Sequence, residues 1–341
     1  MIIQGIANPG SGLRLHLNEN TGGCSPRVVD AIRALTAEQL AAYPDYRGAV
    51  LACARYLGVD PEWVLLTNGL DEGLLMLAIA RLGHDKRPGA EAIVPVPAFE
   101  PYFAAIAAVG ATPVRVPPRA AFAFPRDEVL RRVSPHTALV YLNTPNNPTG
   151  QVISREALRA VVEGTPQALV LVDEAYIEFS GGSFLDELPR HRNAIVGRTF
   201  SKAYGLAGMR IGCLVAHPDT LAPIRAVTPV LNLNVVAVTA VQAALEDTAF
   251  LPRYAAQVQQ SRERIYAACQ RLGLEYWESA ANFVLVRVGN RVADVIKALD
   301  ERGVHVRDRS RDPYTPGCVR ITAGIVGHTD AAVSALEAIF V

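Results

Sequence analysis

The feature that most constrains the fold is an alternation of short apolar runs with longer helical stretches. Six runs carry apolar, often β-branched side chains; they are residues 63–67, 91–95, 112–116, 138–143, 169–173 and 194–199. Continuous apolar runs are typical of strands buried on both faces, and helices between such strands are typical of parallel sheets. We therefore predict an α/β fold with a mostly parallel sheet flanked by helices.

The pattern changes after Pro229. An Ala- and Val-rich helical region leads to a long polar helix near residues 257–272, and strand-like runs follow around 282–288 and 319–322. Helices and strands that no longer alternate one by one are typical of an α+β unit. This part of the chain is therefore predicted to form a smaller second domain.

Length and composition agree with two domains. The chain has 341 residues, half of them hydrophobic, so it exceeds one typical domain and can bury a large core. We predict a large domain over residues 41–230 and a small domain over residues 231–341. Residues 1–40 are predicted to pack with the small domain, residues 117–125 to form a loop, and the functional site to lie between the domains.

Polar side chains follow two of the predicted strands. Asp173 ends one apolar run, Tyr176 comes three residues later, and Asn147 lies in an Asn-Asn-Pro-Thr-Gly turn after the neighbouring run. Open α/β sheets bind ligands at the C-terminal ends of their strands. A carboxylate there suits a protonated pyridine nitrogen, and the hydroxyl and amide suit a phenolic oxygen on the same ring. The alternative is that these residues only form the loops after two core strands.

Lys202 lies between Ser201 and a glycine-containing loop that ends at Arg210. A lysine that forms a Schiff base must be partly unprotonated, which burial and nearby positive charge achieve. Ser201 and Arg210 are suited to bind a phosphate dianion, through a hydroxyl donor and a bidentate guanidinium. With Asp173 and Tyr176, Lys202 forms the predicted catalytic set, and the cofactor predicted is pyridoxal 5'-phosphate. A solvated turn is the alternative for the Ser-Lys pair alone.

These segments, in this order, resemble the class I and II aminotransferases, which have fold type I and use pyridoxal 5'-phosphate. Residues 172–179 and 200–210 are most similar to the histidinol-phosphate aminotransferase branch, and the similarity runs from Leu17 to about Leu336. The resemblance implies that the predicted large domain, residues 41–230, binds the cofactor.

The resemblance implies further cofactor contacts. Lys202 is expected to carry the cofactor and then to act as general base and acid. The amides of Leu70 and Asp71 are expected to bind the phosphate at a helix N-terminus, and Phe99 to stack on the ring. Tyr43 matches a tyrosine that reaches the cofactor phosphate of the partner subunit, so a homodimer with a shared site is expected.

Two arginines resemble the substrate-binding pair of the family. Arg320 matches the arginine that binds the substrate carboxylate, and a guanidinium is the natural partner of that group. Arg307 matches the second arginine, which in histidinol-phosphate aminotransferases binds the substrate phosphate. Arg309 and Arg311 lie in the same Arg-Asp-Arg-Ser-Arg-Asp run, so the alternative for Arg307 is one of several solvated charges.

Asn20 and Gly22 are predicted to border the substrate. The branch commonly has a tyrosine where this chain has Gly22, so the side-chain pocket is expected to be roomier or differently polar. Candidate amino donors are histidinol phosphate first, then an aromatic amino acid, then some other amino acid, with 2-oxoglutarate and glutamate as the second pair. The alternatives are a decarboxylase similar to the threonine-phosphate decarboxylases, amine oxidation or elimination, and a pseudoenzyme or sensor that only binds the cofactor.

Charge and cysteine content limit the partners and the cellular location that we expect for this protein. The chain has 33 Lys and Arg against 33 Asp and Glu, so no nucleic-acid partner is indicated. Its five cysteines follow no metal-binding spacing and are expected to be reduced thiols of a cytoplasmic protein. With neither a signal-like opening nor an apolar run of bilayer length, no export and no membrane partner are expected.

Overall fold

The computed structural model describes residues 11–83 and 89–340 of the protein. Residues 1–10 of the predicted N-terminal segment lie outside the described part. Two sheets, one of seven strands and one of five, account for all twelve strands in that part.

The larger sheet is built from the predicted apolar runs. Along the sheet the order is β2 (Val64–Thr67), β8 (Gly212–Val215), β7 (Ala194–Thr199), β6 (Leu169–Asp173), β5 (Thr137–Asn143), β3 (Glu91–Pro95) and β4 (Thr112–Val116). All neighbouring strands are parallel except β8, which is antiparallel to β2 and β7. The predicted mostly parallel sheet is therefore confirmed, and β8 is the strand that was not predicted.

Helices cover both faces of this sheet. Those that precede residue 250 are α1 (Pro26–Arg33), α2 (Ala37–Ala41), α3 (Arg47–Leu57), α4 (Gly69–Leu82), α5 (Pro101–Ala108), α6 (Arg126–Arg131), α7 (Arg155–Gly164), α8 (Pro218–Arg225) and α9 (Val235–Glu246). On β5, Val140 and Leu142 pack with α3, α7 and α9, whereas Leu139 and Tyr141 pack with α4, α5 and α8. Because both faces are covered, every side chain of β5 is buried, which explains its continuous apolar run.

The smaller sheet has the order β1 (Leu13–Leu15), β11 (Val304–Asp308), β12 (Cys318–Thr322), β10 (Phe283–Arg287) and β9 (Glu275–Trp277). Its apolar face packs against α10 (Phe250–Leu272), α11 (Val292–Glu301) and α12 (Val326–Phe340). The predicted long helix and the two predicted strands are present here as α10, β10 and β12, and α10 begins earlier than predicted. β1, β9 and β11 are too short or too polar to have been predicted.

Segments near the predicted domain boundaries contact both sheets. β1 pairs with β11 of the smaller sheet, whereas α1 packs against α9. α9 follows the predicted boundary at residue 230, yet it also packs against α3 on the larger sheet. The division into residues 1–40, 41–230 and 231–341 stays a prediction. The predicted loop at 117–125 contains one short 3-10 helix, Ala120–Phe122.

Within the described ranges, no single helix is long and apolar enough to cross a membrane. One pair, α9 with α10, meets that length and composition but is bent by 82°. All five cysteines are free, and four of them are buried.

Candidate active site

The polar residues predicted at strand ends meet at one edge of the larger sheet. β5 and β6 are parallel and in register there, so that Asn143 lies opposite Asp173. Lys202 follows the end of β7, the next strand of the same sheet. Parallel strands bring their C-terminal ends to the same edge, which is where open α/β sheets bind ligands.

Lys202 is held by a tight turn after β7. The Ser201 amide donates to Thr199 Oγ1 over 3.2 Å, and the Gly205 amide donates to the Lys202 carbonyl oxygen over 3.3 Å. The Lys202 Nζ donates to the carbonyl oxygen of Leu17 over 2.9 Å. Burial, with a smaller contribution from Arg320, lowers the pKa of Lys202 to about 8. About a tenth of this amine is therefore neutral at pH 7, far more than for an ordinary lysine.

Asp173 is a fully enclosed carboxylate. Its Oδ2 accepts a hydrogen bond from the hydroxyl of Tyr102, and its Oδ1 accepts one from the Ala175 amide over 3.0 Å. Burial raises the pKa of Asp173 to about 6, against the effect of these two donors. The carboxylate is therefore mostly ionised at neutral pH, but its pKa lies closer to neutral pH than that of an exposed aspartate.

The Tyr176 hydroxyl accepts hydrogen bonds from two amides. Asn147 Nδ2 donates to it over 3.3 Å, and Asn18 Nδ2 donates over 3.0 Å. The predicted pair of Tyr176 and Asn147 therefore lies together, and Asn18 is an addition. Asn18 has a φ of 55°, and its backbone amide donates to Thr322 Oγ1 on β12 over 3.1 Å. The N-terminal segment thus links the smaller sheet to the Tyr176 hydroxyl.

Arg320 extends this network from β12. Its Nη1 donates to Asn147 Oδ1, and its Nη2 donates to the carbonyl oxygen of His16 over 2.8 Å. Burial lowers the pKa of Arg320 to about 10, so the guanidinium stays charged at neutral pH. The Nε of this buried side chain has no hydrogen-bond partner within the described residues. A charged, incompletely paired guanidinium is suited to bind an anion.

Arg307 lies opposite Arg320 on β11, so both side chains lie on the same face of the smaller sheet. It is exposed and makes no hydrogen bond or ion pair with any described residue. Arg309 is buried and is bound by Glu100, and also by Asp312 over 3.4 Å. Of these two arginines, only Arg307 is free for a ligand. Its role in substrate binding stays a prediction.

The start of α4 and the side chain of Arg210 lie together, and we call this group of residues the cradle. Gly69 has a φ of 72°, and a Cβ there would lie 2.4 Å from Arg210 Nη2, so the position requires glycine. Arg210 Nη2 pairs with Asp71 Oδ2 over 2.8 Å, which places the guanidinium at the first turn of the helix. The amides of Leu70 and Asp71 lie in that turn and lack intrahelical partners. Such a helix start, with an arginine beside it, suits a phosphate.

Phe99 and Ser201 lie close to these groups. The Phe99 ring is half-buried and meets Tyr102 edge-on with 5.7 Å between ring centroids. Ser201 borders a cavity of about 400 Å³ whose other walls include β1 and residues 19–21. The stacking and phosphate roles assigned to these two residues stay predictions.

Three other predicted residues have different surroundings. Tyr43 is 81% exposed on the surface of its own chain, and its predicted role in the partner's site stays a prediction. Asn20 Nδ2 donates to the Ala203 carbonyl oxygen over 3.0 Å, and its Oδ1 accepts from the Gly22 amide over 2.9 Å. A Cβ at Gly22 would lie 2.9 Å from Ile325 Cγ2, so Ile325 occupies space beside this position.

Sequence reasoning missed two residues of the site, Tyr102 and Asn18. Tyr102 lies in the first turn of α5, three positions after Phe99, which precedes the helix. Its nearness in the chain to the predicted ring-stacking residue was a sequence signal for Tyr102. Asn18 carries no comparable signal, because its contact with Tyr176 depends on how the two sheets pack.

The residues present fit a phosphorylated pyridine aldehyde. Lys202 offers an amine that is easily deprotonated, Asp173 offers a buried carboxylate for a ring nitrogen, and Tyr176 with Asn147 offers polar groups for a ring oxygen. The cradle at Gly69 and Arg210 offers amides and a guanidinium for a phosphate. Pyridoxal 5'-phosphate carries each of the matching groups.

Comparisons with known proteins agree with this arrangement. A family model described as aminotransferase class I and II matches residues 11–339. The histidinol-phosphate aminotransferase of Symbiobacterium thermophilum is 38% identical over 331 residues, which cover 96% of this chain and 90% of that protein. The corresponding enzyme of Rhodospirillum centenum is 37% identical over 334 residues, with 95% and 90% covered.

A solved structure shows the same fold. The histidinol-phosphate aminotransferase of Sinorhizobium meliloti, in complex with pyridoxal-5'-phosphate, superposes with a TM-score of 0.89 at 27% identity and covers 99% of this chain and 95% of that chain. The resemblance stated from the motifs and the predicted fold type are both confirmed.

Proposed function

Because the chain belongs to the class I and II aminotransferases, we propose that it moves an amino group from histidinol phosphate to 2-oxoglutarate, with pyridoxal 5'-phosphate carried by Lys202. The observation that carries this proposal is the environment of the Lys202 amine. Arg320, Glu19, Asp71 and Arg210 all act on it electrostatically, so the substrate arginine and the residues of the cradle both lie near the amine.

Lys202 has two tasks in this proposal. The bound cofactor supplies an aldehyde that condenses with amines and a ring that accepts the electron pair of a broken carbon–hydrogen bond. The neutral Lys202 Nζ is the nucleophile that holds the aldehyde carbon. The same Nζ would also act as general base and acid, taking the proton from the substrate carbon and returning it to the cofactor carbon.

The remaining residues of the site orient the cofactor and polarise its ring. Asp173 stabilises a proton on the ring nitrogen, because the two form a charge pair in a buried site where water does not screen it. Tyr176 and Asn147 contact the ring oxygen, and a hydrogen bond from Arg320 to Asn147 links the substrate arginine to that contact. The amides of Leu70 and Asp71, with Ser201 and Arg210, hold the phosphate and thereby fix the ring position.

The positions of Arg320 and Arg307 favour an amino-donor substrate that carries an anionic group. Arg320 and Arg307 form a same-face pair of positive charges, and Arg307 has no anion of its own within the described residues. A phosphate dianion fits such a pair better than a neutral or aromatic side chain does. The names of the relatives point to histidinol phosphate. At Gly22, where the histidinol-phosphate aminotransferase branch commonly has a tyrosine, a Cβ would lie 2.9 Å from Ile325 Cγ2, so Ile325 limits the room for a side chain at this position.

A donor screen tests the substrate. Purified protein loaded with the cofactor is mixed with histidinol phosphate, histidinol, phenylalanine or glutamate, and conversion to the amine form is followed by absorbance. Histidinol phosphate is expected to react at least about 100-fold more efficiently than histidinol, because each charged hydrogen bond to the phosphate contributes roughly 1.5–3 kcal/mol. Brisk conversion by phenylalanine with none by histidinol phosphate would make the chain an aromatic aminotransferase.

A matched pair of variants locates the phosphate contact. Arg307→Gln is expected to remove most of the preference for histidinol phosphate over histidinol by raising KM for the phosphate compound. Arg311→Gln, which removes an exposed charge from the turn that follows β11, is expected to leave the preference intact. Equal losses in the two variants would show general electrostatic attraction and contradict a specific site.

The alternative reactions have separate signatures. A decarboxylase turns over without an oxo acid and releases carbon dioxide, whereas the proposed enzyme stops after one conversion until 2-oxoglutarate is added. Continuous turnover in the absence of any oxo acid would therefore favour decarboxylation or elimination.

We further infer a homodimer. Large apolar side chains are exposed in two segments, Leu40 with Tyr43 and Val230 with Leu231. The segments are joined where the Tyr46 hydroxyl bonds with the Leu233 backbone over 2.8 and 3.2 Å. An apolar surface of this kind supports a protein–protein contact. It lies near the cradle, because Asn232 donates to Glu72 on α4 over 2.6 Å.

Subunit complementation tests the shared site. Tyr43→Ala and Lys202→Ala proteins are each expected to have little activity. After the two are unfolded and refolded together, about a quarter of wild-type activity is expected, because half of randomly paired C₂ dimers are mixed and each mixed dimer has one intact site. Each variant refolded alone is the control. No recovery, with mixed dimers confirmed by mass, would place Tyr43 outside the partner's site.

We also propose a cytoplasmic location. The support is that all five cysteines are free and most are buried, as expected for a protein kept in a reducing compartment.

A further inference from the structure

Two stacked tyrosines lie directly behind Asp173. The hydroxyl of Tyr102, on α5, donates a hydrogen bond to Asp173 Oδ2. Tyr102 is fully enclosed, and its ring stacks on that of Tyr141 from β5 with 4.6 Å between centroids. The Tyr141 hydroxyl is also buried but has no hydrogen-bond partner among the described residues. The Tyr102 hydroxyl is therefore bound to Asp173, whereas the hydroxyl of the adjacent Tyr141 is bound to no described residue.

We propose that Tyr102 is a positioning residue for the aminotransferase reaction: its hydroxyl keeps the Asp173 carboxylate ionised and in one orientation for the ring nitrogen of the cofactor. The inference rests on the proposed cofactor. Tyr102 acts through Asp173 and is assigned no direct contact with the reacting atoms.

The orientation follows from the donors. Tyr102 donates to Oδ2 and the Ala175 amide donates to Oδ1, so the two carboxylate oxygens are held from different elements, α5 and the turn after β6. A carboxylate bound on only one oxygen is free to rotate about its Cβ–Cγ bond. With both oxygens bound, its plane is fixed before the ring arrives, which avoids reorganisation during catalysis.

The ionised state depends on the same hydroxyl. The charged groups that act on Asp173 are the carboxylates of Asp71, on α4, and Glu174, its chain neighbour, and both favour protonation. The other titratable groups facing this corner, Tyr141 and Tyr176, are neutral phenols. Burial raises the pKa of Asp173 to about 6, and the Tyr102 hydrogen bond is the largest opposing influence. Without it, the pKa of Asp173 is expected to move towards neutral pH.

Tyr102 is suited to remain a donor. Burial and the neighbouring Asp173 raise the pKa of the Tyr102 phenol well above its ordinary value, so it keeps its proton in the working pH range. Tyr141 covers one side of its ring, and Phe99 meets it edge-on. The ring therefore has no room to turn its hydroxyl away from Asp173.

The test compares Tyr102→Phe with Tyr141→Phe. Each variant loses one buried phenolic oxygen, and the two rings touch, so packing losses are matched. The probe is pyridoxamine phosphate, whose amine forms no bond with Lys202, and its affinity for cofactor-free protein is measured by calorimetric titration from pH 5 to 9. Tyr102→Phe is expected to bind about tenfold more weakly at pH 7, and its acid-side midpoint is expected to rise by about one pH unit.

The outcomes are distinct. Tyr141→Phe is expected to match the wild-type curve, and equal curves for the two variants would overturn the role of Tyr102. If the wild-type protein itself does not bind the probe, the proposed cofactor fails rather than the Tyr102 inference alone. Should Tyr102→Phe not fold, 3-fluorotyrosine placed at position 102 keeps the ring and strengthens the donor. It is expected to move the midpoint to lower pH, and an unchanged midpoint would refute the proposal.

Discussion

Replacing Lys202 with alanine is expected to lower the transamination rate by at least about 10⁴-fold, because one amine supplies both the nucleophile and the acid–base group. The visible absorbance of a cofactor bonded to lysine is expected to disappear as well. Cofactor affinity should fall less, because the cradle at Gly69 and Arg210 is unchanged. The measurements are stopped-flow absorbance with the amino donor and a titration of the cofactor.

The lysine content of the chain makes the control simple. The chain has only three lysines, Lys86, Lys202 and Lys297. Lys297 is 78% exposed on α11, and Lys297→Ala is expected to retain full activity and absorbance. Reduction of the loaded wild-type protein with borohydride, followed by peptide mass mapping, is expected to find the cofactor on Lys202. Label on either other lysine, or an active Lys202→Ala protein, would contradict the assignment.

The second large effect is expected for Asp173→Asn. The substitution keeps the shape of the side chain and its contact with Tyr102, but removes the charge that stabilises a protonated ring nitrogen. The rate of proton removal from the donor is expected to fall by about 10²- to 10³-fold, the usual loss for one preorganised electrostatic partner. Single-turnover kinetics separate this loss from binding. Asp219→Asn, at an 86% exposed position, serves as the control.

The pH dependence gives Asp173→Asn a second signature. Burial raises the pKa of Asp173 to about 6, so wild-type affinity for pyridoxamine phosphate is expected to fall as the pH drops through 6. The phosphate of the probe titrates in the same range. The prediction therefore concerns the difference between the pH curves of the wild type and of Asp173→Asn. The asparagine variant should lack the Asp173 component. Identical pH curves for both proteins would contradict an ionised Asp173 in the binding site.

The raised pKa of Asp173 also predicts that Asp173→Asn, although less active, is more stable than the wild type. A carboxyl group whose pKa is higher in the folded than in the unfolded protein lowers the free energy of unfolding as the pH rises through that range. Above pH 6, cofactor-free Asp173→Asn is therefore expected to melt at a higher temperature than the wild type. Loss of activity with a gain in stability is typical of a group kept for function.

Most of the strands with the predicted bounds are buried. Strands β3, β6 and β7 have these bounds because each is a continuous, largely buried apolar run. The edge strand β4 also has the predicted bounds, although Thr112 and Arg115 in it are exposed. β8 has only four residues, and β1 and β9 have three each. Short strands of this kind are defined by the neighbours they pair with rather than by a pattern of their own.

The sequence by itself determined the class of fold and the position of the chemistry. Asp173 ends a buried strand, and Asn147 and Lys202 each follow one. The geometry of a parallel sheet brings the ends of its strands together whatever the rest of the chain does. Local spacing also placed Arg210 near Ser201, because only nine positions separate them.

Only the tertiary structure decided which polar groups serve the site. Arg307, Arg309 and Arg311 are equivalent in sequence, and Arg309 is removed from the set by Glu100, which lies 209 positions away. The contact of Asn18 with Tyr176 spans 158 positions. Tyr102 and Tyr141 are both buried tyrosines, yet only one reaches Asp173. Such contacts depend on how helices and sheets pack against each other, and no local pattern in the chain encodes that packing.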